Sequence, residues 1–255
     1  MLLRRPVSGA SVPVTERAGG GLLGRFLEIS IHAPDVPASL DFYQSLGLSE
    51  AVTGDIWDHP YAVVTDGQVA LGLHAYEFPS PALTWVCPGI PAAAAAIEAA
   101  GIELEFLKTG EERFNELGFV DPDGQIVTLL EARTFSPPSG RVPPPAAGFF
   151  RECRMPVRVR RETVDFWEKL GFVATDDDKD IAALTADGIA LTGYTTRRRD
   201  LVSLVFEALD LTAAAAALES RRLSPAPGRD PLDGGPAIEL TAPEGTPILI
   251  VAPAD

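Results

Sequence analysis

The chain repeats itself, and this limits its possible folds more than any other feature. Residues 25–48 read RFLEISIHAPDVPASLDFYQSLGL, and residues 150–172 read FRECRMPVRVRRETVDFWEKLGF. Glu28 falls on Glu152, Asp41-Phe42 on Asp165-Phe166 and Leu46-Gly47 on Leu170-Gly171, all at one offset, 124. Further on, DGQVALGL from Asp66 returns as DGIALTGY from Asp187, and PDGQIVTLL from Pro122 returns as PEGTPILIV from Pro243, both at an offset of 121. Self-similarity that keeps its register over this length marks a duplicated architecture. The second copy is about three residues shorter (124 − 121 = 3).

Within each copy the periodicity changes between strand and helix. From Phe26, Leu27, Ile29 and Ile31 alternate with Glu28, Ser30 and His32, which predicts a strand with one apolar and one polar face. Asp35 starts a turn, and Leu40, Phe42-Tyr43 and Leu46 form a helical stripe that Gly47 closes. Strands are expected at 48–53, 61–65 and 69–76, the last two joined by the Asp66-Gly67 hairpin signal. A second unit runs from Leu83 through a helix at 91–100 to strands at 118–120 and 126–130 around Pro122-Asp123-Gly124. The alanine run Ala92–Ala96 returns at Ala213–Ala217, so it is expected to be a packed helix, not a linker. Residues 136–148 hold five prolines and two glycines, which disrupt regular structure and predict the true linker. The expected organisation is a tail at 1–24, one module at 25–135, the linker at 136–148 and a second module at 149–255. In the second module, strands are expected at 201–206, 237–241 and 248–251 and a helix at 212–221, with 228–235 a loop of no assigned chemistry.

With 255 residues, 46% of them hydrophobic, the chain can bury one large core or two modest ones. A net charge of −15 disfavours nucleic acid and anionic membrane surfaces as partners. The two cysteines, Cys87 and Cys153, sit in apolar runs and are expected in the core, which leaves neither a disulfide framework nor a thiolate zinc site. The first 24 residues carry Arg4-Arg5 and a glycine run but no apolar stretch of signal-peptide length, so a flexible tail on a cytoplasmic protein is expected.

The strand–Asp35–helix start, Asp41-Phe42-Tyr43 with Leu46-Gly47, and Asp121-Pro122-Asp123-Gly124 together resemble the vicinal oxygen chelate (VOC) superfamily of glyoxalase I, bleomycin-resistance proteins and extradiol dioxygenases. The resemblance spans about residues 25–252 and is clearer in the first module. It implies an α+β fold of four βαβββ units in two glyoxalase-like modules, whose curved mixed sheets enclose cups for small molecules. It also implies a metal site in the metal-dependent members, with a His, Gln or Glu on an opening strand and a Glu on a closing strand. Here the opening positions are Glu28, Ala82, Glu152 and Ser203, and the closing positions, counted four residues past each hairpin glycine, are Leu71, Thr128, Thr192 and Leu249. Leucine and alanine donate nothing to a cation, so neither the metal centre nor any other cofactor is expected. A displaced site among His32, His59 and His74 is the alternative, although His74 falls out of phase with Leu71 and Leu73 if those two face the cup.

The candidate ligand-binding residues are Glu28, Ser30, His32 and Thr128 in the first module and Glu152 and Arg154 in the second. Glu28 and His32 lie four residues apart on one strand face, with Ser30 between them, about 13 Å by rise, an arrangement that grips a polar ligand from two points or supplies a base and an acid. Glu152 and Arg154 form the matching pair and are more simply an ion pair. Trp57 and Tyr61, and less so Phe114 and Phe119, are candidate walls for a planar ligand. Two functions follow. One is metal-free sequestration of a small apolar or aromatic molecule by a monomer or weak homodimer. The other is an enzyme, either a metal-dependent lyase, isomerase or dioxygenase or a metal-free acid–base catalyst using Glu28 and His32.

Overall fold

A computed structural model describes residues 21–54, 58–110, 114–136, 142–175, 180–186, 188–195 and 201–253. In the first unit, β1 (Arg25–His32) leads through α1 (Val36–Leu46) to the short strands β2 (Ser49–Glu50) and β3 (Val52–Thr53) and the hairpin β4 (Tyr61–Thr65) and β5 (Ala70–His74). The second unit has β6 (Ala82–Val86), α2 (Ile90–Ala99), β7 (Leu104–Lys108), β8 (Glu116–Val120) and β9 (Ile126–Leu130); β10 (Phe135–Ser136) then pairs back onto β3. The second module repeats the plan with β11 (Phe149–Val157), α3 (Arg160–Lys169), β12 (Val173–Ala174), β13 (Ile181–Ala186) and β14 (Ile189–Thr195). It continues with β15 (Ser203–Glu207), α4 (Leu211–Ser220), β16 (Ala226–Arg229), β17 (Pro236–Thr241) and β18 (Pro247–Val251).

Each module is one eight-stranded mixed sheet, in the orders β2-β4-β5-β1-β6-β9-β8-β7 and β12-β13-β14-β11-β15-β18-β17-β16. The opening strands of the two units meet antiparallel at each sheet's centre, and each lies parallel to its own unit's closing strand. Units therefore pair within a module, and Glu28 shares a sheet face with Thr84 and Thr128.

Local chemistry explains the elements. Asp35 caps α1 by accepting from the Ala38 N–H at 3.1 Å, and Gly47 ends the helix in the left-handed conformation that its missing Cβ permits. In α2, Ala93 and Ala94 are buried beside Ile90 and Ile97, and such small side chains let a helix sit close on its sheet. The expected run from 69 to 76 shortens to β5, and β7 and β16 lie where no strand is expected.

One expectation about β1 is corrected. Leu27 does not share a face with Ile29 and Ile31, because the pairing with β6 slips between Phe26 and Glu28. This β-bulge turns Phe26 toward the helix-side core, where its ring meets Trp85 at 5.1 Å. Leu27 is left outside that core and lines a separate cleft. The second module bulges at the equivalent place, between Phe150 and Glu152. Cys153 is fully buried in the core, and burial pushes its thiol up to about 12; Cys87 is half-buried.

The helix-side faces of both modules join in one continuous core, with Trp85 and Trp167 meeting across it at 6.3 Å between ring centroids. One set of polar contacts between the modules is pseudo-symmetric. Ser39 and Tyr43 on α1 donate to Glu244 in the last hairpin, while Thr163 and Trp167 on α3 donate to Asp123 and Asp121 in the equivalent hairpin of the first module. Asp66, 2% exposed, accepts from the N–H groups of Gln68 and Val69 in its own hairpin and from that of Phe150 in the other module.

Burial pushes the Asp121 carboxyl up to about 6, against the opposing pull of N–H groups from Gln125, Asp123 and the Trp167 indole. Because its folded value exceeds its unfolded one, Asp121 binds more protons in the folded state. The stability it contributes is complete below about pH 4 and is lost as pH rises through about 6. Asp121→Asn should therefore flatten the pH dependence of the melting temperature across this window; an unchanged slope would reject the assignment.

Candidate functional site

The polar face of the first sheet carries a cavity of about 360 Å³. Its floor is formed by Glu28 and Ser30 on β1, Ala82 and Thr84 on β6, and Thr128 on β9; Phe106, Tyr76 and Phe78 form walls, and Glu105, Lys108 and Glu116 stand among them. Gly118 makes room for one wall, since a Cβ there would overlap the Phe106 ring.

Glu28 is 1% exposed and held on both oxygens. Its Oε1 accepts from Ser30 Oγ at 2.8 Å and lies 3.0 Å from His74 Nε2, and its Oε2 accepts from the Tyr61 hydroxyl at 2.6 Å. Burial, and next the nearby Glu28 charge, push the Tyr61 phenol well above its ordinary value, so it stays a donor. His74 Nδ1 lies 3.1 Å from His59 Nε2, and burial followed by the His74 charge lowers the His59 imidazole. In the His74 tautomer that carries its proton on Nε2, that atom donates to Glu28 and Nδ1 accepts from His59. The result is a polarised chain, His59 to His74 to Glu28, that ends at the cavity floor.

His74 meets the carboxylate because the residues facing the cup are Gly72 and His74, not Leu71 and Leu73. Both leucines are fully buried in the helix-side core. The cause is a one-residue slip. Structurally Ile29 pairs with Leu71 and Cys153 with Leu191, an offset of 120 along the closing strands (191 − 71 = 120), because Gln68 is an extra residue in the first hairpin. A shift of one residue moves every side chain on a strand to the other face. The closing position of the first unit is therefore Gly72, and the dismissal of His74 as out of phase is reversed.

Several other candidates fall where their strands put them. Ser30 and Thr128 line the cavity; Tyr61 backs it through Glu28; and His32, at the end of β1, lies outside the lining, its ring 6.1 Å from Phe78 and its backbone N–H bonded to Ser80 Oγ. Phe119 is buried against Phe166 and also borders the cavity. Trp57 lies outside the described residues.

In the second module the same face is occupied from within. Arg154, 2% exposed, donates from Nε to Glu152 at 2.7 Å and in a fork to both oxygens of Asp230 at 2.6 and 2.9 Å, while Thr192 donates to the other Glu152 oxygen. Burial would raise the Asp230 carboxyl, but bonds from Arg154 and the Leu232 N–H prevail and hold it below its usual range. Asp230 lies in the segment 228–235, expected to be a loop without chemistry. That segment begins inside edge strand β16, which carries Asp230 to the end of Arg154's reach.

No protein-family model and no curated protein sequence matches the chain. Solved structures do. A catechol 2,3-dioxygenase aligns over 91% of this chain and 88% of its own, with TM-score 0.60 and 15% identity. The 2,3-dioxygenase LapB from Pseudomonas sp. KL28 aligns over 92% and 94%, with TM-score 0.64 and 14% identity. The Mn(II)-bound glyoxalase from Novosphingobium aromaticivorans aligns over 90% and 82%, with TM-score 0.61 and 14% identity. The chain has the vicinal oxygen chelate fold.

The VOC fold prompts a test of the first cup as a metal centre, and its donors do not fit one. With the register corrected, the closing positions Gly72 and Thr128 offer no donor and one neutral hydroxyl. Glu28 and His74 are two potential ligands bonded to each other. Among the described residues no three His, Cys, Asp or Glu side chains converge as a first-row divalent cation requires. Among them, too, no helix is long and apolar enough to cross a membrane.

Proposed function

We propose that this VOC-fold protein is a monomeric small-molecule binder whose first cup takes up a compact, largely aromatic compound and fixes its polar end at Glu28, with no metal ion between them. The observation that carries this reading is the contrast between the two cups. One carries a carboxylate at the floor of an aromatic-walled cavity, and the other has its carboxylate engaged by an internal arginine. A volume of about 360 Å³, apolar walls and a few convergent polar groups match what small-ligand sites require.

Thermal-shift screening of arenes against the full chain tests the reading, because a ligand that binds only the folded state raises the melting temperature. A compound at about 100 times its Kd adds about 2.7 kcal/mol. Thr128→Trp, which extends an indole from β9 into the cup, should abolish the shift and leave the unliganded melting temperature near its parent value. Shifts that survive this substitution would place binding elsewhere.

The polarised chain from His59 through His74 to Glu28 supports a second reading, a metal-free acid–base enzyme. This keeps Glu28 from the catalytic alternative and replaces His32 with His74. Conversion of a bound compound, lost in Glu28→Gln while its binding persists, would favour catalysis over sequestration.

A further inference from the structure

Resting on the binding reading just given, the duplication itself indicates the ligand's charge. At an offset of 124, Glu28 corresponds to Glu152 and Ser30 to Arg154. Both carboxylates follow the same bulge on the same strand of their sheets. In the second cup a guanidinium lies against the carboxylate at 2.7 Å. In the first cup that strand position is a serine, whose short hydroxyl bonds Glu28 and Thr84 at 2.8 Å each.

The room that an arginine would fill is open, and a carboxylate 1% exposed faces it. Among the described residues no lysine or arginine pairs with Glu28; its donors are two hydroxyls and an imidazole. Glu105 and Glu116 add negative charge to the lining, and the single lysine there, Lys108, is already paired with Glu116. Lys108 Nζ also sits 5.1 Å from the Phe106 ring centroid, so this wall already accommodates a cation over its π-face. Taking an anion out of water is costly unless a partner offsets it.

We infer that the first cup recognises a small aromatic molecule bearing a protonated nitrogen, an amidinium, guanidinium or ammonium group, which docks on Glu28 in the place that Arg154 takes in the second cup. The apolar body of the ligand lies against Phe106 and Phe78.

Calorimetric titration of the full chain with benzamidine, benzamide and benzoate separates charge from shape, because the three are near-isosteres carrying positive, zero and negative charge. Benzamidine should bind at least about tenfold more tightly than benzamide, the difference expected of a charge-assisted hydrogen bond over a neutral one, and benzoate most weakly. Glu28→Gln should erase the preference. Ser30→Arg should abolish benzamidine binding by supplying the guanidinium from within, and it carries the test should Glu28→Gln not fold.

Benzamide binding as tightly as benzamidine, or neutral arenes binding where benzamidine does not, overturns the charge class and leaves the binding reading standing. A preference for benzamidine that persists in folded Ser30→Arg overturns the docking at Glu28. Failure of every arene, charged or neutral, overturns the binding reading together with the inference.

Discussion

Replacing Arg154 with methionine will destabilise the protein by about 3–5 kcal/mol, the usual result when one partner of a buried ion pair is removed and the other charges stay behind. Three polar bonds end on this guanidinium, and Glu152 and Asp230 are both buried around it. Methionine fills much of the volume but leaves two carboxylates facing each other with no cation. At about 2–4 °C per kcal/mol for a chain of this size, the melting temperature should fall by about 6–20 °C. Adding Glu152→Gln and Asp230→Asn should recover most of the loss, because the penalty comes from uncompensated charge and not from lost packing. The acid side follows from the direction of the Asp230 shift. Its folded value lies below its ordinary one, so the stability from the pair is complete above about pH 4 and is lost as pH falls through the depressed value. A single variant that melts within about 2 °C of the parent would show that the second cup does not depend on its internal ion pair.

The repeat made most of the fold legible. Four opening strands, four helices and their hairpins follow from two offsets, and the pairing of Glu152 with Arg154 follows from alternation along a single strand. The missing part was of one kind. Alternation assigns faces only while the register holds, and the register breaks twice in the first unit, at the bulge after Phe26 and at the extra Gln68. Each break flips the residues beyond it, so Leu27 was expected on the wrong face and His74 was set aside. The signal for the second was present: Leu71 matches Leu191 if one residue is skipped between DGQ and DGI, which puts Gly72 on Thr192. Edge strands β7 and β16 were illegible for another reason. Glu103, Glu105 and Lys108 on or beside β7, and Pro227, Gly228 and Arg229 on β16, suit an edge that must not recruit another strand, and they mask its periodicity. Asp230 was missed with its strand. Besides Ser30 on its own strand, the partners of Glu28 come from the start of β4 and the end of β5, with Thr134 behind Tyr61, a convergence that no local spacing encodes.

Gly72→Ala should cost far more than one added methyl group ordinarily does, because the methyl meets Glu28. Gly72 lies opposite Ser30 in the parallel pair, and a Cβ built on it would overlap the carboxyl group of Glu28. The side chain can yield only by swinging off its three partners, and bonds to a charged group are worth about 1.5–3 kcal/mol each. Ser30, Tyr61 and His74 would then lose their common acceptor, and the polar end of the cup would lose its shape. The expected result is a loss of about 2–4 kcal/mol in stability together with loss of ligand-induced thermal shifts. The equivalent position in the second cup is Thr192, whose hydroxyl bonds Glu152, so a side chain at this point on the sheet is compatible with the fold. The specific conflict in the first cup is between the new methyl group and one carboxylate. A double-mutant cycle isolates it: in a Glu28→Ala background, Gly72→Ala should cost less than about 1 kcal/mol, because the obstacle has gone. If the substitution is as damaging without Glu28 as with it, the glycine serves the sheet and not the carboxylate, and the cup's geometry must be held by something else.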